Sequence, residues 1–362
     1  MEGRKKCRTK TTPARPICAG EQGVNGTMVV RELSREAYEQ VLSARTAPVP
    51  VEQLPVWLDY QKTIEGRSPW GYCSVESDGQ VIAAVAFSQF ETHGYRFLRA
   101  PHGPVWIVDR TPELERAVLE AISAYVRGRD RKQVFMRMAV ETPCDLACPV
   151  LSTLPYDTTV VIDLTGGDDE ILARMKPRGR RDVRKALREC PAQMADETAR
   201  AAEDFSEYYQ VMCETGSRDG FAPAPCGDYQ NMVRILGAEH CRVLAARVDG
   251  KVVAWSLLTI SGALATRYYA ATAIGSGRLR VADALLFFEC QQAAELGCTA
   301  YDLMAIGSDF QPELKNLNEF KTKFAKEGVR AVAPDRDVPL KKAFYTALVK
   351  ARGLRSAIRK AR

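Results

Sequence analysis

Residues 241–272, CRVLAARVDGKVVAWSLLTISGALATRYYAAT, carry three apolar runs of strand length, at 241–248, 251–260 and 263–272. Asp249-Gly250 separates the first two. Such a pair tolerates the positive φ that a two-residue hairpin turn demands, so the runs read as an antiparallel meander. Downstream, 280–297 reads as a helix and 299–304 as a short apolar strand.

The same order occurs once more upstream. Strands are expected near 70–76, 80–91 and 94–101, with Asp78-Gly79 at the first turn. A helix follows at 111–127, opened by Thr111-Pro112-Glu113, and then a strand at 133–138. Each meander has its own lead-in. Before the first come a strand at Met28, a helix that Ser34 can cap, and a helix over 53–64. Before the second come a strand at 158–164 and helices at 168–189, 200–215 and 228–237. One mixed unit present twice accounts for 362 residues better than a single core of that size. The order is that of a GNAT acyltransferase half, so the expected fold is α/β (α+β), two tandem GNAT-like domains. Residues 28–156, completed by 330–362, form the first and 157–329 the second. Residues 1–27 are polar and aperiodic and read as a disordered tail, with Met28 as an alternative start.

With 46% hydrophobic and 27% charged residues, the composition is that of a globular protein. The most apolar run, 81–87, is too short to span a bilayer, and no apolar segment follows the basic N-terminus, so a cytoplasmic location is expected. The eleven cysteines show no repeated CxxC, and Cys144 and Cys148 lack a second pair or nearby histidines to close a zinc site. Inert thiols and no metal are expected. The net charge of +6 is unevenly placed: residues 1–27 hold six Lys/Arg against two acids and 336–362 nine against one, which leaves the body negative.

Three features bear on chemistry. In Leu317-Asn318-Glu319-Phe320-Lys321 a lysine follows an aromatic, behind a buried strand, where one cation can face a developing oxyanion. Spacing alone reads Lys321, with Lys323 and Lys326, as a solvated basic face. Second, residues 174–188 hold eight Lys/Arg and one acid, with Pro177 and Gly179 breaking the first turn. A loop that opens a helix can put N–H groups and guanidinium forks on phosphate, of tRNA or of a diphosphate-linked precursor, although a bare surface helix reads the same. Third, Gly275-Ser276-Gly277 has Thr272 where a coenzyme A motif places Arg or Gln, which lowers the acyl-CoA reading. The alternation of 263–270 sends Tyr268 and Tyr269 to opposite faces, one to a groove and one to the core.

Together these residues resemble the FemABX family of tRNA-dependent aminoacyltransferases that build peptidoglycan cross-bridges. The resemblance spans 28–345 and rests on Pro101-His102-Gly103-Pro104-Val105, the basic run from Met175 to Ala186, Tyr268-Tyr269-Ala270, and Tyr301-Asp302-Leu303 followed by Glu319-Phe320-Lys321. It implies the armless type, without a coiled-coil arm. Lys321 then acts as the catalytic cation with Phe320 shaping the channel beside it. Lys176, Arg178, Arg181, Tyr269, Arg218, His102 and Lys62 are the implied substrate contacts. This sequence departs from the family pattern in three places. His102 stands where a stronger base is usual, a downstream substrate arginine falls on Ala224, and Lys62 lies one residue further from Trp57.

An aminoacyl-tRNA ester is already activated, so the resemblance implies no cofactor beyond aminoacyl-tRNA as co-substrate. The implied acceptor is a peptidoglycan precursor, a UDP- or lipid-linked muropeptide. A basic helix from about residue 339, with Leu340, Phe344, Leu348, Ala351 and Ile358 on one side and Gly353 interrupting it, is expected to pack on the first domain and turn its cations to tRNA or to the inner membrane leaflet. An acyl-CoA-dependent GNAT N-acyltransferase and a non-catalytic tRNA-binding module are the alternatives.

Overall fold

The computed structural model describes residues 27–151 and 153–360; apart from Thr27, the expected tail lies outside them. The first unit runs β1 (Met28–Leu33), α1 (Arg35–Ser43), α2 (Pro55–Gln61), β2 (Arg67–Ser77), β3 (Gln80–Thr92), β4 (Tyr95–Ala100), β5 (Val105–Trp106), α3 (Pro112–Arg129) and β6 (Gln133–Ala139). The second runs β7 (Thr158–Asp163), α4 (Asp168–Arg174), α5 (Pro177–Glu189), β8 (Gln193–Asp196), α6 (Thr198–Glu203), α7 (Ser206–Asp219) and α8 (Cys226–His240). It continues with β9 (Cys241–Val248), β10 (Lys251–Ser261), β11 (Leu264–Thr272), α9 (Val281–Glu295), β12 (Ala300–Ala305), α10 (Asn318–Thr322) and β13 (Val329–Ala331). The chain then returns to the first unit with β14 (Asp335–Pro339) and α11 (Lys342–Lys360).

Two seven-stranded sheets result. One has the order β1-β2-β3-β4-β6-β14 with β5 on β3, the other β13-β7-β12-β11-β10-β9-β8. Each is an antiparallel meander that ends in one parallel pair, β4 with β6 and β11 with β12. A parallel pair needs a long crossover, and α3 and α9 supply it. The fold is therefore a tandem GNAT. Asp78-Gly79 and Asp249-Gly250 turn with both residues at positive φ, as the hairpin geometry requires. Ser34 and Thr111 cap their helices by accepting the N–H of Ala37 and Leu114.

Helix boundaries differ from expectation where short polar signals intervene. Pro177 divides the 168–189 segment into α4 and α5, because it removes a donor and restricts Lys176 to extended backbone. Asp204 accepts the N–H of Ser206 and so starts α7 afresh after α6. The strands β5, β8, β13 and β14 are too short for an alternation to show in sequence.

The units share a core. Trp57, Leu58 and Tyr60 of α2 and Ala84 and Ala86 of β3 are buried in one cluster with Phe205, Tyr208, Tyr229, Trp255 and Leu257 of the second unit. Each large apolar side chain buried there contributes about 1.5–3 kcal/mol, so the two units hold a fixed geometry. The last segment is fastened by a buried pair: Arg137 donates to both Asp337 oxygens at 2.7 and 2.9 Å, and Tyr345 donates to Asp337 at 2.9 Å. Tyr345 and Leu348 thus seat α11 on the sheet. Phe344 stays largely exposed, and Gly353 does not interrupt the helix. Among the described residues, no helix is long and apolar enough to cross a membrane.

Candidate active site

The site grows from the place where β11 and β12 part. They pair only from Leu264–Thr266 to Ala300–Asp302, while β12 continues along β7 as far as Ala305, with an irregularity after Asp302. Met304 sits in that irregularity at φ 61°, a region a non-glycine residue rarely adopts and one that clusters at functional sites. The alternation of β12 buries Tyr301 and Leu303 and turns Asp302 and Met304 to the groove between the two units.

Lys321 approaches from α10. Its Nζ donates to the carbonyl of Ala305 at 2.8 Å, so the ammonium lies just past the end of the parallel pairing. Burial, assisted by the guanidinium of Arg267, lowers its pKa to about 8, while Asp302 acts in the opposite direction. Burial likewise raises the Asp302 carboxyl above its ordinary value, against hydrogen bonds from Thr159 Oγ1 and the Met304 N–H. A cation and a carboxylate, each destabilised by desolvation, therefore lie close together where Asp302 lines the groove.

Beneath them is a buried network. Glu289 of α9 is fully buried and accepts from Ser256 Oγ at 2.5 Å, Tyr301 OH at 2.5 Å, and Arg267 Nε and Nη2 at 2.8 and 3.2 Å. It anchors Arg267 at the start of the parting strands.

The groove continues toward the first unit. Glu52, His102, Tyr156 and Met304 line its middle, and Trp57, Tyr60, Phe90, Tyr268 and Tyr269 its far end. His102 is held in place by Gln53, whose amide donates to Pro101 O at 2.9 Å while its oxygen accepts the Ala86 N–H at 3.0 Å. Gly103 is required here, since a Cβ would strike the Gln53 amide. The His102 ring lies 3.9 Å from Glu52.

Both tyrosines face the groove, which corrects the expectation of opposite faces. The register of β10 with β11 shifts so that Tyr269 opposes Leu257 and Arg267 opposes Leu258, leaving Tyr268 as an extra, unpaired residue. Such a β-bulge suspends the alternation, and the two rings lie 5.1 Å apart in one pocket.

Several expected contacts lie elsewhere. Lys62 is exposed at the end of α2 and lines no part of the groove, because Trp57, Tyr60, Gln61 and Ile64 already occupy the inward face of that turn. Arg218 donates to Thr272 O and Oγ1 at 3.1 and 3.0 Å and pairs with Asp219, outside the groove. Lys176 Nζ donates to Thr322 Oγ1 at 2.9 Å and Arg178 pairs with Glu319, so these two cations stitch α5 to α10. Arg181 points to solvent. Phe320 packs edge-on against Phe324, with the Lys323 ammonium 5.2 Å from its ring centre, and wedges α10 onto the second core.

The α5–α10 contact depends on Gly179, where any Cβ would collide with the carbonyl oxygen of Lys323. Gly179→Ala is expected to cost about 1–3 kcal/mol and to slow the reaction as α10 shifts, read from a urea midpoint and from kcat on the same preparation.

Arg67 and Arg99 are the residues that sequence reasoning missed. Arg67 opposes Phe90 across β2 and β3, and Arg99 opposes Ser88 across β3 and β4, so both flank β3 two residues apart. They enter the aromatic end of the groove, with the Arg67 guanidinium 4.7 Å from the Phe90 ring centre. Arg99 Nε is buried with no hydrogen-bond partner among the described residues, and its nearest carboxylate, Asp335, stands 3.6 Å from Nη2. A buried guanidinium donor left open beside a second arginine is a receptor for an anion.

The acetyltransferase (GNAT) domain family matches residues 177–312. Among curated proteins, none matches the sequence. Among solved structures, FemX superposes with a TM-score of 0.68 over 88% of this chain and 99% of that chain, at 15% identity. The chain has the FemX fold. L-PGS from Bacillus licheniformis has a TM-score of 0.52 at 14% identity, covering 89% of this chain and 97% of its own. A tandem GNAT protein from the clavulanic acid biosynthesis pathway has 0.52 at 12%, covering 87% and 99%. The family match thus falls within the second unit, and the structural likeness extends the same fold over both units.

Proposed function

We propose that the chain transfers an aminoacyl group from aminoacyl-tRNA to a primary amine on the stem peptide of a peptidoglycan precursor. The observation that carries this reading is the Lys321 ammonium at the parting of β11 and β12, with Asp302 beside it. Ala305 O takes one of the three Nζ donors, and the other two remain for the oxyanion that forms when the amine attacks the ester carbonyl. A new C–N bond forms, the ester C–O bond breaks, and the amine proton passes by way of Asp302 to the departing ribose oxygen. The FemX fold supports the reading, and Arg67 with Arg99 suits the diphosphate of a UDP- or lipid-linked acceptor.

The acyl-CoA alternative draws on the GNAT family match. It is weakened by Thr272, which occupies the place of that motif's Arg or Gln and is hydrogen-bonded by Arg218. In a transfer assay with charged tRNA and a UDP-linked muropeptide, Arg67→Ala and Arg99→Ala are each expected to raise the acceptor KM about 10–100-fold with kcat largely kept. Unchanged KM in both variants, or product formed only from acetyl-CoA, overturns the assignment.

A further inference from the structure

The groove does not end at Asp302. Past His102 it opens into a cleft of about 570 Å³ between the loop after α1, the strand β5 and the 331–333 linker. His102, Pro50 and Val332 line both this cleft and the groove at Asp302, so the two are continuous.

Two arginines reach the cleft and they differ in kind. Arg110 is answered by Glu115 at 3.5 Å and by Glu141, and lies 5.9 Å from the Trp106 ring centre. Arg45 is half-buried and, among the described residues, its guanidinium has neither a hydrogen bond nor a carboxylate. Burial lowers its pKa with no nearby anion to oppose it. A desolvated cation without a partner costs stability, and an anionic ligand would repay it. Asp109, the acid of this lining, sits at the exposed rim.

Seen end to end, the groove alternates in charge. Arg67 and Arg99 make one end positive, Glu52, Asp302 and Asp335 gather three acids in the middle beside the Lys321 ammonium, and Arg45 makes the other end singly positive. A ligand with a dianionic head, an amine in its centre and one anionic group at its tail matches that pattern. We propose that Arg45 receives the free C-terminal carboxylate of the acceptor peptide, while the acceptor amine lies at Asp302. This rests on the acceptor assigned above and adds the feature that fixes its far end. A single guanidinium among Pro48, Pro50 and Pro104 fits one carboxylate, bidentately. An RNA backbone asks for a row of cations, and the chain's exposed row, Arg181, Arg184 and Arg188, lies on α5, which packs with α9 on the opposite face of the second sheet.

The test is calorimetric binding of UDP-N-acetylmuramoyl-pentapeptide and its C-terminal carboxamide to the full chain, with Arg45→Ala and Arg45→Lys alongside. The wild type is expected to bind the acid about 10–100-fold more tightly than the amide, Arg45→Ala to bind both alike, and Arg45→Lys to recover part of the difference. Equal binding of acid and amide to the wild type, a preference that survives in Arg45→Ala, or no binding of either, overturns the carboxylate site. So does an Arg45→Ala defect confined to an RNA minihelix. The two readings separate cleanly: acid-selective binding without aminoacyl transfer sinks the reaction and leaves this site standing, while transfer that is indifferent to the acid sinks only the site.

Discussion

Lys321→Ala is expected to lower kcat for transfer by about 10²–10³, the effect typical of removing one oxyanion donor, with little change in the acceptor KM. The fold should persist, because among the described residues the side chain hydrogen-bonds Ala305 O alone, and its ammonium is held in the folded state against desolvation. The same desolvation sets a pH signature. The pKa falls from an ordinary 10.5 to about 8, so a reaction that needs the cation declines above about pH 8. Lys321→Arg should flatten that limb, since a guanidinium stays charged. Stability moves the other way. Between about pH 8 and 10.5 the unfolded chain binds the extra proton, so this lysine's penalty is full below pH 8 and is relieved as pH rises through that window. A wild-type alkaline limb identical to that of Lys321→Arg would detach Lys321 from the chemistry.

Glu289→Ala is expected to cost about 3–5 kcal/mol, the largest stability loss of any single change considered, because it strands the Arg267 charge and removes the acceptor for Tyr301 and Ser256. Chemical denaturation measures it directly. Glu289→Gln keeps an acceptor and should lose less, yet it leaves Arg267 uncompensated beside Lys321. Its alkaline limb should therefore move to lower pH, a shift that a merely structural role would not produce. A loss under 1 kcal/mol in Glu289→Ala would mean that water enters the network and compensates Arg267.

The repeated order of strands and helices was legible because the meanders are long, turn on Asp-Gly pairs, and carry apolar runs that only a buried sheet explains. Asp302 was also within reach: a polar residue alternating with Tyr301 and Leu303 must face away from their core. Tyr268 was not, because a bulge depends on the register of two strands and leaves no local mark. Arg67 and Arg99 stand far apart in sequence and meet only through β3, so no spacing rule could pair them. The basic run at 174–188 misled in the opposite sense. Its charge was plain, but packing of α5 on α10 engages Lys176 and Arg178 as braces, and only the tertiary contact shows which cations remain open. Lys62 was displaced by helical periodicity alone, five residues beyond Trp57 and so on the outer face.

The identity of the acyl donor decides the assignment. The most direct measurement is mass spectrometry of an amine-bearing, UDP-linked muropeptide incubated with the purified chain, a charged tRNA pool carrying isotope-labelled amino acids, and acetyl-CoA in the same tube. The predicted result is a gain of one labelled aminoacyl residue, in amide linkage, lost in Lys321→Ala. A gain of an acetyl group instead, or labelled product undiminished in Lys321→Ala, would contradict it.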